Sequence, residues 1–172
     1  MYSVKTLARL TAAGALLFAS VASAQATQAH AQLAAAMKGA NHVALADALT
    51  TAGASGKPIS ARYEFEDGKL QLTVFVEKAG AFSEVFIDHT TGKVVKTDKI
   101  TSGDDLKEAK DESSASSKAT TTLASAVASA LAANPGFTAV EVSPVGSGKG
   151  KSVASITLMK DGKFKGVTQP LP

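Results

Sequence analysis

Residues 84–95 read EVFIDHTTGKVV, which combines one strand, one tight turn and the start of another strand. Val85 and Ile87 alternate with polar neighbours, and this period of two is typical of a half-buried strand. Asp88 can accept hydrogen bonds from backbone N–H groups two or three residues later. Gly92 can adopt the positive φ that closes a short hairpin with a bulge. The stretch therefore predicts a β-hairpin.

The flanking residues extend this hairpin into an antiparallel sheet. The dipeptide Asp67-Gly68 is a strong two-residue hairpin signal, and residues 78–81 form a second turn. One face of such a sheet packs against a helix, and the other face is freer. Strands with alternating apolar residues are predicted at 59–66, 70–76 and 82–88, with a short fourth strand at Val94–Val95.

A helix is predicted just before the sheet. Asn41 belongs to a residue type that caps helix N-termini, and the helix is expected to run from there to about Ala52. Leu45 and Leu49 lie four residues apart and share one face, which can pack on the sheet. Gly53 ends the helix.

Two stretches carry little apolar periodicity. Residues 25–38 are rich in Ala and Gln, which fits either a helix with little to bury or a frayed leader. Residues 101–118 combine a charged run with a Ser-rich tract, which indicates a linker or a loosely helical surface segment. Asp104, Asp105 and Glu108 match no EF-hand spacing, so a solvated charge run explains them better than a cation site.

The second half of the chain repeats the order of the first. A helix is predicted from Thr120 to Ala133, with threonines as caps, and Asn134-Pro135-Gly136 stops it. Pro170 and Pro172 are expected to prevent the last strand from continuing. Strands are predicted at 137–145, 153–160 and 164–168, with a loop at 146–151 and a hairpin at Asp161-Gly162.

An offset of 82 residues aligns the two halves. The core positions Leu45 and Leu49 of the first helix match Val127 and Leu131 of the second. The same offset relates the turn at residues 78–81 to the hairpin at Asp161-Gly162, which indicates an internal repeat. Across these two hairpins it matches Lys78, Gly80, Phe82 and Val85 with Lys160, Gly162, Phe164 and Val167.

The turn motif carries a family resemblance. A strand ending in Asp88 is followed by two variable residues, Thr91-Gly92-Lys93 and an apolar pair. This pattern, with the helix-then-hairpins order, resembles the end of a PepSY domain, a small unit of protease propeptides and of bacterial envelope proteins. The resemblance implies an α+β fold of two PepSY-like units, each a helix packed on a three-stranded to four-stranded antiparallel sheet.

The repeat and the resemblance together predict the domain organisation. The second copy ends just before the Asp-x-x-Thr-Gly turn, so it resembles a truncated unit. The expected segments are a signal peptide at 1–24, a leader at 25–39, a first unit at 40–99, a charged linker at 100–117 and a second unit at 118–172.

The N-terminal sequence predicts export. Lys5 and Arg9 precede an apolar run, and Ala22-Ser23-Ala24 follows it, as in a secretory signal peptide cleaved after Ala24. The apolar run is shorter than the roughly 20 residues that a membrane helix needs. We therefore expect a mature chain of 148 residues with no membrane span, in the periplasm or outside the cell.

Charge and composition exclude several classes of function. The full chain carries a formal charge of +3, and removal of the first 24 residues, with two bases and no acids, leaves +1. This balance gives no support for nucleic-acid binding. The absence of cysteine excludes disulfides, thiolate metal sites and a cysteine nucleophile.

No recognised catalytic or cofactor motif is present. The sequence Gly150-Lys151-Ser152 lacks the earlier glycine of a phosphate-binding loop, because position 145 is valine. The chain has no Gly-x-Ser-x-Gly elbow. The three histidines, His30, His42 and His89, show no metal-ligand spacing. We predict a protein that is not an enzyme, with no catalytic residue, no cofactor and no metal ligand.

Three functional hypotheses stay open at this point. What the resemblance implies is a regulatory module that contacts a peptidase or another envelope protein in trans. A second hypothesis is a small-ligand or metal site in a groove between the two units. A third is a structural role or a homodimer.

The partner would meet either an exposed sheet edge or the hairpin tips. The candidate contact residues on the hairpins are Asp67, Gly68, Lys78, Gly80, His89, Asp161 and Gly162, beside the structural turn motif Asp88, Thr91, Gly92 and Lys93.

Overall fold

The computed structural model describes residues 19–39, 41–148 and 151–172, and it is an α+β protein, as predicted. The helices in this part of the chain are α1 (Ala19–Ala36), α2 (Leu45–Ala52), α3 (Gly103–Ser116) and α4 (Leu123–Ala132). The strands are β1 (Lys57–Glu66), β2 (Lys69–Lys78), β3 (Ala81–Ile87), β4 (Val94–Ile100), β5 (Thr138–Gly146), β6 (Ser152–Lys160) and β7 (Lys163–Leu171).

All seven strands form one antiparallel sheet in the order β4-β3-β2-β1-β5-β6-β7. The strands of the two sequence halves therefore meet at β1 and β5, where Ala61 pairs with Val142 and Arg62 with Glu141. This central ladder is short. The register of β1 shifts between Pro58 and Ser60, and Pro144 on β5 has no N–H to donate.

Three two-residue hairpins connect neighbouring strands. Both tip residues have positive φ in each of them, which defines the type I′ turn that suits the right-handed twist of paired strands. The tips are Asp67-Gly68 (φ 49° and 77°), Ala79-Gly80 (52° and 78°) and Asp161-Gly162 (51° and 73°). The sequence prediction of these three turns is confirmed.

Helices α1, α2 and α4 cover one face of the sheet and share its larger core. The predicted contact face of α2 is confirmed, because Leu45, Ala48, Leu49 and Ala52 are all at most 2% exposed. On α4, Val127 is fully buried and Leu131 is partly buried against the same core. The offset of 82 also matches fully or almost fully buried positions of β2 and β6. These pairs are Leu72 with Ala154, Val74 with Ile156 and Val76 with Leu158.

The start of α2 differs from the sequence prediction. The N-cap position is Ala44, which makes no side-chain cap, so the prediction of Asn41 as the cap is wrong. The residues before the helix are extended because the N–H of Val43 donates to the carbonyl of His89, 2.8 Å away. At α4 the prediction of a threonine cap is confirmed, since Thr122 Oγ1 accepts from the N–H of Ser125 at 3.1 Å.

Helix α3 occupies the sheet face that the sequence pattern predicts to be freer. Its Ala109 is fully buried beside Ile59, Phe75 and Phe82 in a second core cluster. The charged run forms this helix because its polar residues meet polar groups of the sheet. The hydroxyl of Ser60 donates to the buried carboxylate of Glu112 at 2.6 Å.

The leader is helical and contributes to the core. Leu33 and Met37, at the end of α1 and just beyond it, are each 7% exposed. The expectation that this segment has little to bury was therefore wrong for its last turn. Of the predicted signal peptide, residues 1–18 lie outside the described part of the chain, and residues 19–24 belong to the first turns of α1.

Strands β4 and β7 run well past their predicted ends. Strand β4 continues to Ile100, because residues 94–100 pair along β3. Strand β7 continues through Pro170 to Leu171, so the expectation that Pro170 stops it is wrong. The hairpin at residues 161–162 fixes the register of β7 on β6. In this register the backbone nitrogen of Pro170 points away from β6, so its missing N–H costs no hydrogen bond of the ladder. An edge strand tolerates proline at such a position.

Candidate functional site

The β3–β4 turn has the geometry that its sequence predicts. Asp88 Oδ1 accepts hydrogen bonds from the N–H groups of Thr90 and Thr91, at 2.9 and 2.7 Å. Gly92 has φ 73°, and its N–H donates to the carbonyl of Asp88 at 2.8 Å. These bonds, that of Thr91 first, hold the pKa of Asp88 below its ordinary value. Asp88 and Gly92 are therefore the residues that define the turn.

The remaining motif residues complete the turn. The N–H of Asp88 donates to the carbonyl of Lys93 at 2.8 Å, which closes the hairpin. The side chains of Thr91 and Lys93 are exposed. The side chain of Thr91 also hydrogen-bonds to Asp88, so turn chemistry explains the motif, and Lys93 is the motif side chain that a partner could meet.

The turn is fastened to the segment before α2. Besides the bond from Val43 N–H to His89, the carbonyl of Val43 accepts from the hydroxyl of Tyr63 at 2.6 Å. Tyr63 is 3% exposed, and burial raises the pKa of its phenol well above the usual range. The position that a Cβ would take on Gly92 lies 3.5 and 3.7 Å from the methyl groups of Val43. The turn, β1 and the start of α2 thus form one packed unit.

Folding brings two of the three histidines together. Nδ1 of His42 lies 3.3 Å from Nδ1 of His89, and both residues are half-buried. Burial, and then the neighbouring His89, lower the pKa of His42. Histidine spacing does not predict this contact, because 47 positions separate the two residues. The one local sign of the contact is that His42 lies just before α2 and His89 just after β3. The helix and the sheet that contains this strand were expected to pack together.

The candidate hairpin tips divide between the two ends of the sheet. Because the strands are antiparallel, the tips Asp67-Gly68 and Asp161-Gly162 lie at the same end as the β3–β4 turn with His89. Lys78 and Gly80 lie at the opposite end. All of these tip residues are exposed apart from His89. A single partner surface at one end of the sheet would therefore not contact all the predicted tips.

Strand β4 forms one edge of the sheet and is exposed along almost its whole length. Every residue from Val94 to Lys99 is exposed, including 44% of Val94 and 67% of Val95. Lys96 lies over the ring of Phe86, 3.9 Å from its centroid, and pairs with Asp98 at 2.6 Å. This edge carries unpaired backbone groups on its outer side.

A cavity of about 320 Å³ lies where the two halves of the chain meet. Leu49 and Pro58 line it from the first half, and Leu123 and Leu171 line it from the second. Its lining includes one charged residue, Lys57, and no histidine or carboxylate. In the described ranges, no group of three or more His, Cys, Asp and Glu residues is placed to hold a metal ion. The cavity is therefore suited to an apolar small molecule.

Comparison of the chain with protein-family models, with curated proteins and with solved structures finds no match. Among the helices of the described residues, none is both long and apolar enough to cross a membrane. The function of this chain is therefore inferred from its own geometry and from the resemblance carried by its turn motif.

Proposed function

We propose that this chain is a non-enzymatic, exported, PepSY-type binding protein that captures an extended segment of a partner protein along strand β4. The class of partner that the family resemblance suggests is a peptidase or another protein of the cell envelope. The observation that carries the proposal is the continuous exposure of β4, from Val94 to Lys99, at the edge of the sheet. An extended chain can add to such an edge through main-chain hydrogen bonds.

The register identifies the backbone groups available to a partner. The two-residue hairpin makes Lys78 and Ala81 a hydrogen-bonded pair, and such pairs alternate along an antiparallel ladder. Even-numbered residues of β3 therefore bond to β4, and Phe86 and Glu84 face Lys96 and Asp98. The N–H groups of the intervening residues Thr97 and Lys99 point away from β3, in the plane of the sheet, toward the side where a partner strand would add.

The other edge is less suited to strand addition. In β7 the outward-facing position 170 is proline, which offers no N–H group. The end of this strand is also tied down, because the carbonyl of Pro172 accepts from both the N–H and the hydroxyl of Thr120, each at 2.6 Å. Strand β4 has no proline, and in the described part of the chain no comparable pair of hydrogen bonds holds its end.

The charge of β4 indicates which segments it would accept. Lys93, Lys96 and Lys99 lie on or next to the strand, with Asp98 as its only acidic residue. Lysines on an edge discourage pairing with a second identical edge, because like charges would face each other. The proposed ligand is therefore an extended segment with acidic side chains rather than a second copy of β4.

A capture experiment tests the proposed function. Residues 25–172 are immobilised and exposed to native envelope and secreted proteins, and bound proteins are identified by mass spectrometry, with peptidase activity assayed before and after. We expect a saturable partner, and loss of peptidase activity would assign a regulatory role in trans. An empty column would contradict the proposal and favour a small ligand in the junction cavity or a structural role.

A matched pair of variants tests the binding mode. Thr97→Pro removes one outward N–H, while Thr97→Ala changes the side chain and keeps that donor. We expect Thr97→Pro to weaken capture at least tenfold and Thr97→Ala to leave it within about twofold, since one well-placed hydrogen bond contributes about 0.5–1.5 kcal/mol and the proline ring also blocks close approach. Equal binding by the two variants would contradict strand addition at β4.

The junction cavity supports a second candidate function, the binding of a small apolar ligand. Its volume of about 320 Å³ is at the lower end of the range typical of ligand pockets, which begins at about 300 Å³. Leu123→Trp would fill part of this space. If the cavity is the functional site, this variant should lose a ligand that co-purifies with the protein, and capture of protein partners should be unchanged.

A further inference from the structure

His42 and His89 contact each other through one nitrogen of each ring. The two Nδ1 atoms are 3.3 Å apart, at the long end of hydrogen-bond distances, and the tautomers decide which ring could donate. The ring centroids are 5.2 Å apart, and the ring planes meet at 53°. The two rings therefore bring a pair of nitrogens together that can share either a proton or a metal ion.

These distances match the geometry of two ligands on one tetrahedral ion. Nitrogens bound at about 2.0–2.1 Å in a tetrahedral site stand about 3.3–3.4 Å apart, and the centroids of their rings stand about 5.2 Å apart. We propose that His42 and His89 bind one divalent transition-metal ion, zinc or a close analogue, through their Nδ1 atoms.

The second ring nitrogen of His42 faces the interior of the protein. Its Nε2 is buried without a well-aligned hydrogen-bond partner, and the backbone of Met37 interacts with the ring. A histidine that binds a metal through Nδ1 carries its proton on Nε2. This N–H usually donates a hydrogen bond to a nearby acceptor.

The other side of the pair is open. Thr90 is exposed, and its Oγ1 lies 3.4 Å from Nδ1 of His89. The adjacent carboxylate of Asp88, which accepts from the backbone N–H groups of Thr90 and Thr91, lies next to His89 in the chain and adds negative charge there. The two histidines leave coordination positions for water on this side. Nitrogen ligands select zinc, copper or nickel over calcium and magnesium, which prefer oxygen.

Titration calorimetry of the untagged protein with Zn²⁺ tests the site. We expect binding of one ion per chain, weakened at least tenfold by His42→Gln and by His89→Gln. His30→Gln is the matched control, because the His30 ring stacks on Phe164 with centroids 4.1 Å apart and takes no part in the pair. This control should stay within twofold of the unmodified chain, and Ca²⁺ and Mg²⁺ should give no heat.

A second measurement needs no variant and therefore does not depend on their folding. In the unmodified protein, Zn²⁺ should shift the imidazole NMR signals of two histidines and leave the third unchanged, and Co²⁺ should give the visible absorption of a tetrahedral complex. The proposal fails if Zn²⁺ at millimolar concentration gives no heat. It also fails if binding survives in His42→Gln and His89→Gln, or if the shifted signals include that of His30.

Discussion

Replacement of Gly92 tests whether the turn before β4 has the backbone conformation that organises this part of the molecule. Gly92 has φ 73°, a region in which an L-residue with a side chain costs roughly 1–2 kcal/mol. The site of a new Cβ is 3.5 Å from the nearest methyl of Val43, an ordinary van der Waals distance. Gly92→Ala should therefore lower the free energy of unfolding by about 1–2 kcal/mol, from backbone strain alone.

Two further substitutions separate strain from packing. Gly92→Val adds β-branching against Val43, so its cost should rise to about 2–3 kcal/mol. Gly92→Asn should lower the free energy of unfolding by less than about 1 kcal/mol, which is about half the effect of Gly92→Ala. The reason is that asparagine adopts positive φ more readily than alanine. Gly80→Ala is the control for strain, since Gly80 has φ 78° and no atom within 4 Å of its Cβ position.

The assay is urea unfolding followed by circular dichroism, with the slope of each transition compared to verify that it is unchanged. Gly92→Ala and Gly80→Ala should lose similar amounts of stability. A neutral Gly92→Val, or an asparagine variant as unstable as the valine variant, would refute the positive φ at this residue and with it the described turn.

Three other predictions follow from particular contacts. Tyr63→Phe removes the hydroxyl that donates to the Val43 carbonyl, and it should lower the free energy of unfolding by about 1–2 kcal/mol in the same urea assay. Because the pKa of His42 lies below its unfolded value of 6.5, the unfolded chain binds more protons, so stability should fall as pH drops through 6.5. His42→Asn should flatten this part of the curve of melting temperature against pH, and an unchanged slope would contradict the assignment. Ala109→Asp places a charge in the core under α3 and should make that helix sensitive to limited proteolysis, whereas a protected helix would show that its packing is misjudged.

The local elements could be predicted from sequence because their signals are local. Asp67-Gly68 and Asp161-Gly162 specify type I′ turns through their own backbone preferences. The Asp88 and Gly92 turn is likewise determined within six residues. The apolar spacing of Leu45 and Leu49 likewise predicts the buried face of α2.

The features that sequence reasoning missed depend on distant contacts. The docking of α3 needs Ser60, on another element, to satisfy the carboxylate of Glu112, so a charged run gave no local sign of burial. Pro170 continues a strand only because the register places its missing N–H outside the sheet. The approach of His42 to His89 depends on how the segment before α2 meets the β3–β4 turn. Each of these requires the tertiary arrangement.

Backbone amide hydrogen exchange, measured with and without the captured partner, tests the central proposal most directly. Exposed edge amides exchange quickly, and hydrogen bonds to an added strand slow them. We predict that binding slows exchange at Thr97 and Lys99, with little change at the tips Asp67-Gly68 and Asp161-Gly162. Slowed exchange at those tips, with no change along residues 94–100, would contradict strand addition at β4 and favour insertion of the hairpins into a cleft of the partner.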